Sequence, residues 1–259
     1  MTRPSASNPP LPDPADLRQK LLQLGEQQRR LVSQLQSGEQ QFRQLARSVW
    51  RVQEDERRRL ARELHDGIGQ HLTALRHRLD GLMAAGVGAS DSLQQAVQLC
   101  DLAIGETRAL SRLLRPQILD DLGLEAALRW LGRQTAESIG CQVEVAVSGL
   151  PDPLDGDLST LIFRVAQEAL TNAAKHAQAP NIVIRVSRRG PQLQLLIVDD
   201  GRGCDVEVAW SMSSSGQSTG LASMRERVRL FGGQLSLVSP PGEGVQLRVL
   251  LPLATGEGV

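Results

Sequence analysis

The 259-residue chain has no tyrosine, and aromatic residues make up only 2% of it. Few flat side chains are therefore available for stacking nucleic-acid bases. Basic and acidic side chains balance at 29 each. No basic face is implied, so no direct nucleic-acid partner is expected. The three cysteines, Cys100, Cys141 and Cys204, lie far apart and form no CxxC pair. That pattern fits thiols in a reducing compartment better than a disulfide framework or a zinc site. No apolar run approaches the length needed to cross a bilayer. Residues 1–14 are rich in Pro, Ser and Asn and lack an apolar signal core. The expectation is a cytoplasmic chain with no membrane segment of its own. A P-loop is also missing, since no Gly-x-x-x-x-Gly-Lys-Ser/Thr stretch occurs.

What is present begins with a long helical pattern. Residues 1–15 read as a disordered tail. From Asp16 onward, Leu17, Leu21, Leu24, Gln28, Leu31, Leu35, Gly38, Phe42, Leu45, Val49 and Val52, most of them apolar, fall at steps of three and four. This is an a/d seam sustained over several heptads, and a lone helix cannot bury it. A parallel dimer is the simplest cover; a helix packed on a globular body is the alternative. The rhythm then changes. Val52, Glu56, Leu60, Leu64, Ile68 and Leu72 run at steps of four, a shift that unwinds a supercoil locally. After a turn at residues 86–90, a second amphipathic helix carries Leu93, Val97, Cys100, Ile104, Leu110 and Leu114, and Pro116 ends it. Two such hairpins make a four-helix bundle. Beyond Pro116 the pattern predicts helices over 119–139, 154–177 and 221–231. Strands are expected over 142–147, 181–187, 192–199, 235–238 and 245–250, with a Gly/Ser-rich loop over 201–219. Helices mixed with hairpin-linked strands suggest an α/β sandwich, helices on one face of a sheet.

The stretch around His65 carries the strongest single signal. A neutral imidazole can attack through one nitrogen while the other holds the proton. An adjoining carboxylate that accepts from that N–H fixes the tautomer, and Asp66 is placed for it. Gln70 lies four residues beyond Asp66 and stacks on the same face, where its amide could orient a water. His65, His71 and His77 are six apart and do not share a helical face, which disfavours a metal site. A bare His-Asp pair is otherwise most often a surface feature.

Glu56, Arg59, Ala61, Glu63-Leu64-His65-Asp66, Gln70 and Leu72 together resemble the histidine box of the nitrate-sensor and membrane-fluidity-sensor histidine kinases, the NarX/DesK type. Leu114-Arg115-Pro116, Leu119-Asp120-Asp121-Leu122-Gly123-Leu124 resembles the segment joining bundle to ATP domain in that group. The resemblance implies that His65 is phosphorylated, that Asp66 is its base, and that Asp66 with Gln70 serves a phosphatase step.

Further along, Glu168, Asn172 and Lys175 fall at i, i+4 and i+7, a polar stripe on an otherwise apolar helix. Such a stripe either needs partners inside or is a solvated face. Asn172 offers an oxygen suited to Mg²⁺, and Lys175 offers charge for phosphate. Leu193, Leu195, Ile197 and Asp199 share one strand face. A carboxylate ending an apolar row is costly unless it meets a donor, such as the adenine amine. A strand-end turn is the plainer explanation of Asp199-Asp200-Gly201. Gly201 and Gly203 permit close backbone approach. Residues 204–219 read as a mobile lid opening into a helix at Gly220, whose free N–H groups can bind phosphate.

The order and spacing of these pieces resemble the ATPase fold shared by gyrase, Hsp90 and histidine kinases. That resemblance implies ATP and Mg²⁺ as cofactors, Asn172 as the metal ligand and Asp199 as the adenine reader. It implies nucleotide contacts from Glu168, Lys175, His176, Gly201, Gly203, Gly220 and Leu221 as well. Two departures stand out: Ser218 where many relatives have Gly, and Val245 where many have Thr. The expected fold is α+β: a long N-terminal helix or coiled coil, a dimeric helical hairpin, then an α/β sandwich that binds ATP. Expected boundaries are a signalling helix over 16–52, a dimerisation and phosphotransfer domain over 53–116, an ATP-binding domain over 117–253 and a tail over 254–259. The implied activity is a homodimeric histidine kinase serving a response-regulator receiver domain with helix-turn-helix output. A phosphatase-dominant member, a non-enzymatic coiled-coil dimer and a gyrase-like clamp are the rivals.

Overall fold

The computed structural model describes residues 14–84, 91–114, 118–214, 220–240 and 242–253. The expected turn at 86–90, Pro116, Ser218 and both tails beyond these limits lie outside the described residues. The chain divides into two compact units, Met1–Ser48 and Val49–Val259. The described residues of the first, 14–48, belong to helix α1 (Pro14–Glu63), which starts at Pro14, a residue whose fixed φ suits a first helical turn. Its apolar seam is exposed: Leu24, Leu31, Leu35, Phe42 and Leu45 are all more than half accessible.

In the second unit, α1 runs through a wide, π-wound turn (Leu64–Gly69) into α2 (Gln70–Ala84). Helix α3 (Asp91–Leu114) returns antiparallel to it. Cys100 Sγ donates to the Leu72 carbonyl at 3.2 Å, and Ser111 Oγ donates to the Ala61 carbonyl at 3.0 Å. As one position rises along the first arm, its partner falls along the second. The helical hairpin expected from the sequence is present.

The rest of this unit holds α4 (Ile118–Asp121), α5 (Gly123–Ile139), β1 (Gln142–Ser148), α6 (Gly156–Asn172), β2 (Asn181–Arg189), β3 (Gln192–Asp199), α7 (Val206–Ser214), α8 (Gly220–Leu230), β4 (Gln234–Val238) and β5 (Val245–Pro252). The five strands form one sheet in the order β1-β2-β3-β5-β4; β1 and β2 are parallel and the other pairs antiparallel. Alternation along the strands sets the buried face. Ile184 pairs with Ile197, and Ile197 with Leu247; Val186 pairs with Leu195, and Leu195 with Val249. All of these are buried, in one cluster with Leu124 and Leu128 of α5, Phe163 and Leu170 of α6, and Met224 and Val228 of α8.

Local signals explain the helix limits. The Asp155 side chain accepts from Leu158 N–H at 3.0 Å and caps α6. Gly140, left-handed at φ 70°, ends α5 and donates its N–H to the Ala136 carbonyl.

Two expectations need correction. The helix expected over 119–139 is broken at Leu122, giving the short α4 and then α5. The loop expected over 201–219 contains α7, which Asp205 caps by accepting from Val208 N–H at 3.0 Å. The Ser/Gly composition of that stretch masks a helix held by its own cap and by Trp210, which lies under the Arg225 guanidinium at 4.4 Å.

Leu128 is fully buried between α5 and the sheet cluster. Leu128→Ala is expected to cost about 2–5 kcal/mol. The loss should be seen as a lower denaturant midpoint with an unchanged slope.

Candidate functional site

Helix α6 turns different faces to the core and to a cavity. Leu161, Phe163, Val165 and Leu170 are buried in the core. Ala169, Ala173 and Ala177 recur every four residues along α6 and the wide turn Ala173–Ala177 that extends it. These small side chains leave room beside them. The result is a cavity of about 470 Å³, walled by the three alanines, Ile197, Leu221, Leu237, Val245 and Leu247, with Asn172, His176, Asp199, Gly203, Cys204 and Ala209 completing it.

Asp199 is the deep polar group of this cavity. It is only 7% exposed. Its Oδ1 accepts from Gly201 N–H at 3.0 Å and from Val245 N–H at 3.3 Å. Burial pushes its carboxyl above the ordinary carboxylate value, and the two N–H donors offset this only in part. Asp200 behaves oppositely. It accepts from the side chain and the backbone N–H of Asn181, both at 2.8 Å, and these bonds hold it below the usual range. Adjacent carboxylates are thus split into one that caps a strand and one that faces the cavity.

Backbone approach is tight here. A Cβ on Gly201 would lie 2.3 Å from the Ala177 carbonyl oxygen. Gly244 has φ 78°, and a Cβ there would lie 1.9 Å from the Asp199 carbonyl oxygen. These glycines let the β3 end, the β5 start and the α6 extension converge on one point.

Of the residues singled out in the sequence, Asn172, His176, Asp199, Gly203 and Leu221 come together in the cavity wall. Glu168, Lys175, Gly201 and Gly220 are not among the lining residues. Glu168 sits against Gly220 at the start of α8, Gly201 packs on Ala177, and Lys175 is exposed. His65, Asp66 and Gln70 belong to the helical hairpin. The backbone of His65 and Asp66 lies in the wide turn, and Asp66 and Gln70 are exposed. Sequence reasoning missed the apolar wall. The alanine repeat at 169, 173 and 177 was its visible signal.

Residues 157–255 match the family described as histidine kinase-, DNA gyrase B-, and HSP90-like ATPase. Residues 56–119 match a second family, described as histidine kinase. The chain has the architecture of a NarX/DesK-type sensor histidine kinase and belongs to that family. Over 220 residues it is 36% identical to a sensor histidine kinase, MctS, of Rhizobium johnstonii, covering 83% of this chain and 47% of that protein. Over 214 residues it is 30% identical to DegS, a signal transduction histidine-protein kinase/phosphatase of Brevibacillus brevis, covering 81% of this chain and 54% of that one. The chain therefore spans about half the length of the curated relatives it matches. Among solved structures, the histidine kinase domain of a blue-light activated histidine kinase of Erythrobacter litoralis is similar at 24% identity and a TM-score of 0.43, over 77% of this chain and 95% of that one. Among the described residues, no helix is long and apolar enough to cross a membrane.

The raised Asp199 carboxyl has a consequence for stability. An acid whose folded value exceeds its unfolded value opposes folding once ionised. That cost is absent at low pH, grows as pH rises from the ordinary carboxylate value towards the raised one, and is complete above it. Asp199→Asn keeps an Oδ1 acceptor and removes the charge. It should raise the unfolding midpoint at pH 7, and the advantage should shrink as pH falls through the raised value and be lost below the ordinary carboxylate range. A midpoint gap that does not depend on pH would contradict this account.

Proposed function

We propose that this kinase binds ATP with Mg²⁺ in the α6–β3–α8 cavity, phosphorylates His65, and passes the phosphoryl group to an aspartate of a response-regulator receiver domain. The carrying observation is the buried Asp199 carboxylate inside a largely apolar cavity. Its volume falls within the usual range of small-molecule sites. Two backbone N–H groups occupy Oδ1, so Oδ2 is the oxygen left to accept from an exocyclic purine amine. The alanine stripe leaves a flat slot for the ring. Asn172 and His176 supply polar groups elsewhere on the wall, with Lys175 exposed nearby.

An amide oxygen and phosphate oxygens form a donor set that suits magnesium, which prefers oxygen and keeps phosphates in its shell. When bound, the ion neutralises charge on the β- and γ-phosphates. The protein's own share is positioning. A His65 nitrogen attacks the γ-phosphorus in line, the bond from that phosphorus to the bridging oxygen breaks, and ADP leaves. Asp66 holds the proton of the second ring nitrogen and steadies the cation formed. Transfer to the receiver aspartate reverses that loading of the imidazole. Asp66 and the Gln70 that follows the wide turn are both exposed, and the Gln70 amide would orient a water for hydrolysis of the aspartyl phosphate. The helix-turn-helix output of the regulator rests on family analogy alone.

The active form is a homodimer. The exposed seam from Leu24 to Leu45 needs a partner of the same heptad phase, and a second copy supplies one. Sedimentation should show a dimer, and Leu35→Asp with Phe42→Asp should weaken it. A monomeric wild-type chain would sink this part of the proposal.

Incubation with γ-labelled ATP and magnesium should give acid-labile label on the wild-type chain and none on His65→Ala. Label that persists in His65→Ala refutes the assignment of the phosphoacceptor. In the same assay, Asn172→Ala should abolish the magnesium-dependent reaction. Asp199→Asn should weaken adenine-nucleotide binding by about 10- to 100-fold, the usual scale for one misplaced polar partner in a closed site.

A further inference from the structure

Helix α6 carries a charge at its middle, before the residues that line the cavity. Arg164 is 5% exposed, among the core residues Phe163 and Val165. Its guanidinium leaves the core to meet the stem of the phosphoacceptor helix. Arg164 Nε and Nη2 both donate to Glu54 Oε2, at 3.0 and 2.7 Å. Glu54 is 4% exposed, and its other oxygen accepts from Arg57 Nη1 at 2.9 Å. Arg164 also donates to Gln167 Oε1 at 2.9 Å and to the Leu114 carbonyl at the end of α3. One guanidinium therefore joins α6, α1 and α3.

Neighbouring contacts repeat the junction. Arg51 pairs with Asp157, and Arg58 pairs with Asp120 at 2.7 Å. Trp50 meets Phe231 edge-on, with ring centroids 5.2 Å apart. The order of these pairs carries direction. Arg51 reaches Asp157, and Glu54 reaches Arg164, so α6 advances in the same sense as α1. From Arg164, α6 runs eight residues, about 12 Å, to Asn172; from Glu54, α1 runs eleven residues, about 16 Å, to His65. The contact thus directs the nucleotide end of α6 along the stem toward the phosphoacceptor.

We infer that Glu54 and Arg164 form a positioning latch: the pair seats the ATPase domain on the phosphoacceptor stem so that the γ-phosphate is brought to His65. Arg164 is a positioning residue, because it acts through the placement of α6 and lies outside the cavity wall. The latch rests on the kinase reading above.

The test uses the full chain and γ-labelled ATP. Arg164→Ala strips a buried cation from the ATPase core and confounds folding with docking. Glu54→Gln avoids this, being isosteric and on the stem. It should lower the autophosphorylation rate at saturating ATP by about 10- to 100-fold, the cost of a misplaced reacting group. The KM for ATP should stay within about twofold, because the cavity is untouched. Glu54→Asp keeps the charge on a shorter arm and should fall between the two. A rate in Glu54→Gln equal to or above wild type overturns the latch, as does a loss that falls wholly on KM. Absence of label on the wild-type chain instead overturns the kinase reading, and the latch with it.

Discussion

Helix α6 buries Leu161, Phe163, Val165 and Leu170 in the core shared with the sheet, and that burial decides where each of its polar residues can go. With the apolar row turned inward, Ala169, Ala173 and Ala177 fall beside the end of β3, where their small side chains leave a cavity. Arg164 falls at the middle of the helix, where its guanidinium leaves the core to meet Glu54 of the stem. Glu168 falls between them, against Gly220. A core, a ligand wall and an interdomain contact therefore share one helix and one phase. A one-residue shift in that phase would rotate every element of the arrangement by about 100°.

Two kinds of buried charge stand beside this helix, one at its middle and one at the end of β3, and they are treated differently. The Glu54–Arg164 pair is satisfied on the spot by opposite charge and by neutral acceptors. Removing an ion from water costs several kcal/mol even after relaxation, so such a pair holds only when its geometry is closed on all sides. Asp199 is left underprovided. It has backbone N–H donors but no cation, and its raised carboxyl value records the deficit. The first arrangement suits a contact between parts of the protein. The second suits a group reserved for something that arrives from outside. Trp50 adds a qualification at the latch, for its buried indole N–H has no hydrogen-bond partner among the described residues.

Legibility in the sequence came from locality. Strand β3 could be read to its ends because Leu193, Leu195, Ile197 and Asp199 alternate cleanly between the Gly190 turn and Gly201. The importance of Asp199 emerged from the same alternation. The stripe Leu221, Met224, Val228, Phe231 likewise announced α8. Helix α7 was hidden because serine and glycine composition outweighed a short capped segment. The break at Leu122 was hidden because the apolar period of α5 runs on into α4 without interruption. The latch was not legible at all. Glu54 and Arg164 are separated by 110 positions, and each alone reads as a helix-surface charge. Only the fold shows that both are buried, and on each other.

The wide turns link the two halves of the chemistry. One spans Leu64–Gly69 around His65, the proposed phosphoacceptor; the other spans Ala173–Ala177 directly after Asn172. Wide turns are rare and concentrate at functional sites, because an extra residue per turn re-aims the side chains beyond it. The first was foreshadowed by Leu60, Leu64, Ile68 and Leu72, whose steps of four outrun a regular seam. A helix obeying 3.6 residues per turn would carry this row slowly around its axis. Widening one turn takes up part of that drift, yet Leu60 and Ile68 stay exposed, and it is Ala61, whose carbonyl accepts from Ser111 of α3, that is buried. The second holds both His176, which lines the cavity, and Lys175, which does not, although the family resemblance implied nucleotide contacts from both.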